Sequence, residues 1–568
     1  MKRFYTLLGL LLLAYSSVAQ SWLWGRSGGS SDYPGYPETV IDMATDNNGN
    51  IYLLANVLQT NLNIDGHSKT GYGLQDMMLS SFSASGVYRW SKVFGGYTND
   101  MPKALRADSL GHIYVAGSIY SPSNPLLTAV HFDADTTLAN NCKRNLFLIQ
   151  YDTLGNYKWL RLPQPDTLSL TNAVDSSKTI DMNVDAAGNV YWLCQLPAGG
   201  FADGSFTVPG TGLYMLKYDK SGVFKLSFPL QMTATGSVLD NIHMQRDPLT
   251  GRFYLAGGLT GGSIQFLGNP VAHPTFLATL DSTGNFLWKK EGKAYTAYGG
   301  CSGRPAIDSA CNIYLTGTTS LWDSLNGQAL SDSIAGPFVI KMDSAGHNVW
   351  TVHPTVNYTT FGNALTLLSN TQLVMTGAYA GLLRWTGYTP ALYHSPGLGF
   401  GVFFTHFNAL TGAVIGMDSL SGDLGYNSYP ASIEADHKGG FFIGGQFEDI
   451  INVAGDMLQT TGGETDFFVA KYCYANCSIA PSSIDHTPIA AANTLSIYPN
   501  PAIGVLHIDA VTDNTSYRLY SIVGCTLQSG SLHTGNNMLN VQDIPAGIYL
   551  LEMTDINGNR HISRIVKE

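Results

Sequence analysis

Residues 109–118 read SLGHIYVAGS, a tight polar turn followed by an apolar, aromatic strand. The element returns as NNGNIYLLAN (47–56), AAGNVYWLCQ (186–195), LTGRFYLAGG (249–258), ACNIYLTGT (310–318), NTQLVMTGA (370–378) and KGGFFIGGQ (438–446). Aligned on the turn, one column reads Gly49, Gly111, Gly188, Gly251, Cys311, Thr371 and Gly439. Glycine dominates because a tight turn asks for a positive φ there. Three positions on, the column reads Tyr52, Tyr114, Tyr191, Tyr254, Tyr314, Val374 and Phe442. The mean spacing is about 65 residues, and self-similarity at that period marks a repeat architecture.

Each copy is followed by a second element that mostly ends in Trp. Examples are MMLSSFSASGVYRW (77–90), LFLIQYDTLGNYKW (146–159), TFLATLDSTGNFLW (275–288) and PFVIKMDSAGHNVW (337–350). Two short apolar flanks around a polar, Gly-bearing link form a hairpin signal. Each period therefore holds four antiparallel strands, which is one propeller blade. The period exceeds the usual blade length of about 40–50 residues, and the excess is expected in loops such as 57–74 and 119–145.

The seventh copy lacks its Trp strand. The missing piece stands at the other end, where SWLWGRSGG (21–29) parallels YRWSKVFGG (88–96). The N-terminal strand is expected to complete the seventh blade and close the ring, which removes an exposed sheet edge. The alternative is an open array such as a β-solenoid. The repeat resembles a family of bacterial seven-bladed propeller repeats, in which a W.k.fGG stretch precedes D..GN.Y..G. Trp90 to Gly96 fit that pattern. Leu226 and Ile415 depart from it, standing where Trp is expected. The resemblance covers about residues 21–480 and implies architecture, because propellers host many unrelated functions.

Composition agrees with an all-β chain. Only 12% of residues are charged, while 62 are Gly and 31 are Tyr. Glycine-rich turns and aromatic strands suit that balance. The net charge of −11 argues against nucleic acid, which needs a basic face. The start MKRFYTLLGLLLLAYSSVAQ reads as a signal peptide over 1–19, with Gln20 the first mature residue. Its apolar run is shorter than the about 20 residues that span a bilayer, and no other transmembrane segment is expected. Of seven cysteines, Cys473 and Cys477 are the first choice for a disulfide, with Cys301 and Cys311 the second. No CxxC pair is present, which argues against a zinc ribbon.

After a small, polar linker at 481–493, residues 494–568 show short alternating strands parted by Asn, Gly and Pro turns. They read as a small Ig-like β-sandwich. Here Tyr498-Pro499-Asn500-Pro501 precedes a strand, Pro545-Ala546-Gly547-Ile548-Tyr549 follows, and a basic last strand carries Arg564 and Lys567. That order resembles the type IX secretion C-terminal sorting domain. The resemblance implies Pro499, Asn500, Pro501, Pro545, Gly547, Tyr549 and Lys567 as the sorting motif. It also implies a translocon as partner, removal of the domain, and an extracellular or surface destination reached through the periplasm. The alternative is a plain accessory sandwich.

No chemistry-bearing motif stands out. Asp46-Asn47-Asn48-Gly49-Asn50 looks like the start of a calcium loop. A full loop needs a Glu at its twelfth position, and Val57 stands there. The 14 His form no HxH or HExxH pair. Ser302 in Gly300-Cys301-Ser302-Gly303 lacks the strand-to-helix setting of a hydrolase elbow. Asp108-Ser109-Leu110, Asp152-Thr153-Leu154, Asp308-Ser309-Ala310, Asp343-Ser344-Ala345 and Asp418-Ser419-Leu420 resemble bacterial O-glycosylation signals, or are turn residues. No catalytic, metal or cofactor residue is named. The expectation is a binding or adhesion protein for a glycan or protein ligand, on one face of the ring or at its channel. The competing reading is a secreted hydrolase or lyase built from several blades.

Overall fold

A computed structural model describes residues 21–568. It leaves out 31–36, 59–60, 121–128, 140–143, 164–176, 202–205, 237–240, 259–261, 274, 293–299, 320–323, 332–333, 421–425, 462–464, 475–495, 511–514, 522–525, 543 and 555–559. The expected signal peptide and linker lie outside the described residues, as do Cys142, Cys477 and Cys525. The chain divides into two compact units, Met1–Ser482 and Ser483–Glu568.

The first unit is a β-propeller. Among the described residues its repeats form seven antiparallel sheets of four strand positions each, in sequence order in the first six and with the fourth strand drawn from the N-terminus in the seventh. The first sheet runs Thr39–Thr45, Ile51–Leu58, Gln75–Phe82 and Tyr88–Gly96. The apolar stretches that define the repeat are the second strands, and these are buried almost throughout. The first strands form the inner wall. Thr39–Thr45 packs against both Met101–Ala107 of the second sheet and Ser428–Ala435 of the seventh, so the ring closes. In the turn column, Cys311 takes the left-handed φ of 60° that glycine holds elsewhere.

Closure comes from the N-terminus. Ser21–Ser30 is the fourth strand of the seventh sheet, antiparallel to Asp466–Cys473, with Ser21 opposite Cys473 and Gly28 opposite Phe467. Its Trp24 then does what the other outer-strand tryptophans do. It lies over Gly86 in the next sheet's outer hairpin turn, where a Cβ would meet the ring at 2.7 Å. Its Nε1 donates to Ala84 O at 3.2 Å. Trp90 and Trp159 repeat this on Gly155 and Gly222, donating to Thr153 O and Lys220 O.

The two departures have physical reasons. In the third sheet Leu226 is exposed, and Phe228, two residues on, covers Gly284 instead. In the sixth sheet the outer turn is one residue longer, with Gly412 N bonded to Asn408 O where Gly155 N bonds Asp152 O. The register therefore puts Gly416, not Ile415, in the Trp column. No Trp is required there, because the seventh sheet takes its fourth strand from the N-terminus and has no such turn to cover.

The extra length of each repeat lies between the second and third strands, where every sheet carries a small hairpin. Leu62–Ile64 with His67–Lys69, and Ala129–Phe132 with Thr136–Ala139, are the first two. They pair with the outer strand of the preceding sheet, at Gly28–Ser30 and at Phe94–Gly96 respectively. The inserts thus cover edges that would otherwise stay open.

The Gly-Gly pairs mark buried carboxylates. A Cβ on Gly95 would overlap Asp76 Oδ1, and one on Gly29 would overlap the Asp466 carboxylate. Asp100 beside Gly95 accepts from Gly96 N and Tyr120 N, and Glu38 beside Gly29 accepts from Ser30 N and Leu58 N. These are the same junction repeated between sheets one and two and between sheets seven and one. Burial, the largest cause, pushes Asp76 and Glu38 up to about 7, Asp100 to about 8 and Asp466 to about 6.

The second disulfide candidate does not form: neither Cys301 nor Cys311 is in a disulfide. Cys301 sits opposite Gly317 near the end of Ile313–Thr318, whereas Cys311 precedes that strand's start. Several strand residues at about 3.3 Å each separate them, beyond the about 7 Å reach of a disulfide. Cys473 is disulfide-bonded, and its expected partner, Cys477, lies outside the described residues.

The second unit holds two antiparallel sheets around one core. One contains Ser496–Tyr498, Val505–Ala510 and Gly535–Asn540. The other contains Thr526–Leu532, Thr515–Ser521, Gly547–Thr554 and Arg560–Lys567. Leu506, Leu519, Leu539, Tyr549, Leu551 and Ile565 fill the space between them.

Two outcomes follow. Trp24→Ala should destabilise the propeller by about 3–5 kcal/mol in urea unfolding. Ile415→Ala should change stability by less than about 0.5 kcal/mol; equal effects would show that Trp24 does not hold the seam. The raised carboxylates bind protons more tightly folded than unfolded. Their stabilisation is complete below the unfolded pKa near 4 and is lost as pH rises through about 6–8. Half-buried His243 and buried His406, both pushed down to about 4 by desolvation, act oppositely but only below about 6.5. The urea midpoint should therefore fall between pH 6.5 and 8.5, and the Asp76→Asn, Asp100→Asn double variant should flatten the slope.

Candidate functional site

The inner strands share an irregularity. Each of five carries one extra residue at the same level, namely Ile41, Lys103, Ile180, Asn363 and Ala431. A bulge re-aims the side chains beside it. In the fifth sheet the inner strand breaks altogether, into Gly300–Cys301 and Ala306–Ile307, with Ser302 to Pro305 between. All seven inner strands at this level line a cavity of about 310 Å³ along the ring axis.

Just after the bulge, the column of residues contains Asp42, Asp181 and His243; the next column but one contains Arg106 and Glu434. Arg106 bridges Asp42 at 2.6 Å and Asp181 at 2.5 Å. Arg304, from the broken strand, bonds the other oxygen of Asp42 and lies 3.8 Å from Glu434. Both aspartates also accept backbone N–H groups. Asp42 takes Met43 N and, from the next sheet, Leu105 N; Asp181 takes Met182 N and, likewise, Met244 N. Six of the seven sheets are thus tied around the channel.

The electrostatics follow from this wiring. Burial alone would raise Asp181, but Arg106 and Arg304 outweigh it and hold the carboxyl below the usual range. Burial pushes Glu434 up to about 7 against the pull of Arg304. Burial, aided by Lys103, lowers His243 to about 4, so it is neutral at pH 7. The oxygens of Asp42 and Asp181 are committed to guanidinium and backbone donors. What faces the cavity with capacity to spare is Glu434, with His243, Gln245, Ser302, Thr366 and Ser432 around it.

Sequence reasoning missed these residues, although a signal was present. Ile-Asp-Met occurs at 41–43 and 180–182, and Ile-His-Met at 242–244. Ser302, read as turn material, lines the cavity. The calcium-loop candidate is a structural turn: Asp46 accepts from Asn48 N, Asn50 N, Asn50 Nδ2 and Tyr52 OH, all within the element. Among the described residues no group of three or more His, Cys, Asp or Glu could hold a metal. Of the five glycosylation-like tripeptides, four lie in repeat turns and Asp418-Ser419-Leu420 lies in the strand Val414–Leu420.

In the second unit the motif residues converge on the last strand, Arg560–Lys567. Asn500 Nδ2 donates to Arg564 O at 2.7 Å, and Asn500 Oδ1 accepts from Val566 N at 2.8 Å. Pro499 and Pro501 flank it, and Ala502 N donates to Val566 O. Gly547 stands opposite Lys567. Tyr549, buried in the core, donates its hydroxyl to Pro545 O at 2.6 Å. The motif therefore fixes the edge strand at the C-terminus.

Residues 496–568 match the secretion system C-terminal sorting domain. The chain carries the tail of type IX cargo, which directs export to the cell surface or the extracellular space. No curated protein matches the chain. Similar solved structures include the quinohemoprotein alcohol dehydrogenase from Comamonas testosteroni, 10% identical over 85% of this chain and 79% of that one, with a TM-score of 0.34. A protein of unknown function from Dyadobacter fermentans is 10% identical over 79% of this chain and 98% of its own, at 0.32. PorZ of the type IX secretion system of Porphyromonas gingivalis is 12% identical over 95% of this chain and 100% of its own, at 0.15. At such scores the propeller assignment rests on the sheet topology.

Arg106→Leu leaves Asp181 without its main counter-charge and should cost about 3–5 kcal/mol in urea unfolding. Adding Asp181→Leu should recover most of that loss; no recovery would show that the bridge is not what Arg106 contributes.

Proposed function

We propose that the protein is an exported binding protein whose ligand enters the axial channel of the propeller from the insert-bearing face. The observation that carries this reading is the cavity, built by all seven inner strands, whose aspartates are consumed by arginines and backbone donors. The channel offers hydrogen bonds without an assembled acid–base pair. A second reading, a secreted hydrolase, draws on Glu434, held near 7, in the same cavity as neutral His243.

The propeller engages its ligand outside the cell, and the tail engages the type IX translocon. Full-length protein titrated with defined polysaccharides and peptides should retain a ligand with no product formed. Product release that disappears in Glu434→Gln would establish the hydrolase instead. In a host with type IX secretion, deleting 496–568 should leave the protein periplasmic, beginning near Gln20. Surface or medium location of the truncated chain would overturn the role of the tail.

A further inference from the structure

Resting on the binding reading above, we infer that the channel takes the end of a glycan chain, with one terminal sugar in the cavity and the next on an aromatic ledge at its mouth. Three observations carry this.

The first is the chemistry of the wall. Lys103 and Arg304 line the cavity together with Asp42, Asp181 and Glu434. Arg106, outside the lining, neutralises the two aspartates it bridges, so opposite formal charges balance and the field selects neither anion nor cation. The remaining polar groups, His243, Gln245, Ser302, Thr366 and Ser432, are donors and acceptors of both kinds. A ligand suited to such a wall is uncharged and dense in hydroxyls.

The second is size. A volume of about 310 Å³ is at the small end for ligand pockets, and seven strands ring it. It accommodates one sugar ring and excludes a chain passing sideways across the site.

The third is the ledge. Phe400 stands 6.3 Å from Tyr358, 5.5 Å from Phe361 and 5.5 Å from Tyr429, ring to ring. Tyr358 is 44% exposed. Phe361 and Tyr429 lie near the starts of the sixth and seventh inner strands, ahead of the cavity-lining Ala364 and Ala431 on those strands. Strand direction puts them on the insert-bearing face. Beside them Asn427 Oδ1 accepts from Phe400 N, and its Nδ2 reaches the Glu448 carboxylate at 3.0 Å. Aromatic faces flanked by planar polar groups match the apolar faces and hydroxyl edges of a sugar ring.

The test is calorimetric titration of the full chain with free hexoses, their linear di- and trisaccharides, and a cyclic oligosaccharide of the same sugars. Linear probes should bind and the cyclic one, which has no chain end, should not. A disaccharide should bind about tenfold tighter than its monosaccharide. Tyr358→Ala should erase that gap and leave the monosaccharide affinity. Thr366→Trp, which fills the cavity, should abolish both at an unchanged unfolding midpoint. If cyclic and linear probes bind alike, or Thr366→Trp has no effect, end-on recognition is wrong while the binding reading stands. If no linear probe binds at millimolar concentration, the glycan inference falls. If the probes are shortened during titration, the binding reading falls with it.

Discussion

The propeller depends on one constraint: each sheet must be tied to the next all the way round, including the seam where the chain begins. A ring of sheets has no exposed edge only when the last sheet finds its fourth strand. Ser21–Ser30 provides it, and the same strand then grips the first sheet through Trp24. The device is the one used at other junctions, a ring laid over a turn glycine with its N–H given to a carbonyl. The seam is therefore held as most other junctions are; the exceptions are the third-to-fourth contact, where Phe228 covers Gly284, and the sixth-to-seventh contact. There the turn to be covered is absent, and Tyr474 packs against His406 instead.

A second layer of ties lies on the insert-bearing face. Buried carboxylates sit where a glycine Cβ would be and accept backbone N–H groups from neighbouring segments. Small hairpins extend from one sheet and pair with the edge of its predecessor. The long repeat period is therefore not slack. It builds one face of the ring.

The channel shows how a regular scaffold acquires an individual site. Bulges turn the inner strands at one level, and the broken fifth strand brings in Arg304. The aspartates that result are cross-braces first. They leave Glu434 and a set of neutral polar groups as the part of the wall able to meet a ligand. The tail follows the same economy, since Asn500 and Tyr549 of the sorting motif hold the terminal strand in place.

The architecture was legible in the sequence because its causes are local and repeated. Turn glycines, buried second strands and outer tryptophans recur in register, and Trp24 with Gly28-Gly29 betrayed the closing strand. The sorting tail was legible for a similar reason, as three short motifs in fixed order. Ile415 was misplaced because a one-residue longer turn shifts the strand, which spacing alone does not reveal. The Cys301–Cys311 pair failed because nearness in sequence is not nearness across a strand. The channel site showed in the sequence only as the repeated Ile-Asp-Met and Ile-His-Met tripeptides, which do not say what meets what. Asp42, Arg106, Asp181, Arg304 and Glu434 are distant in sequence and meet only because the ring closes. Local composition determined the sheets and the destination; only closure in three dimensions decided which charges face one another and what the cavity can hold.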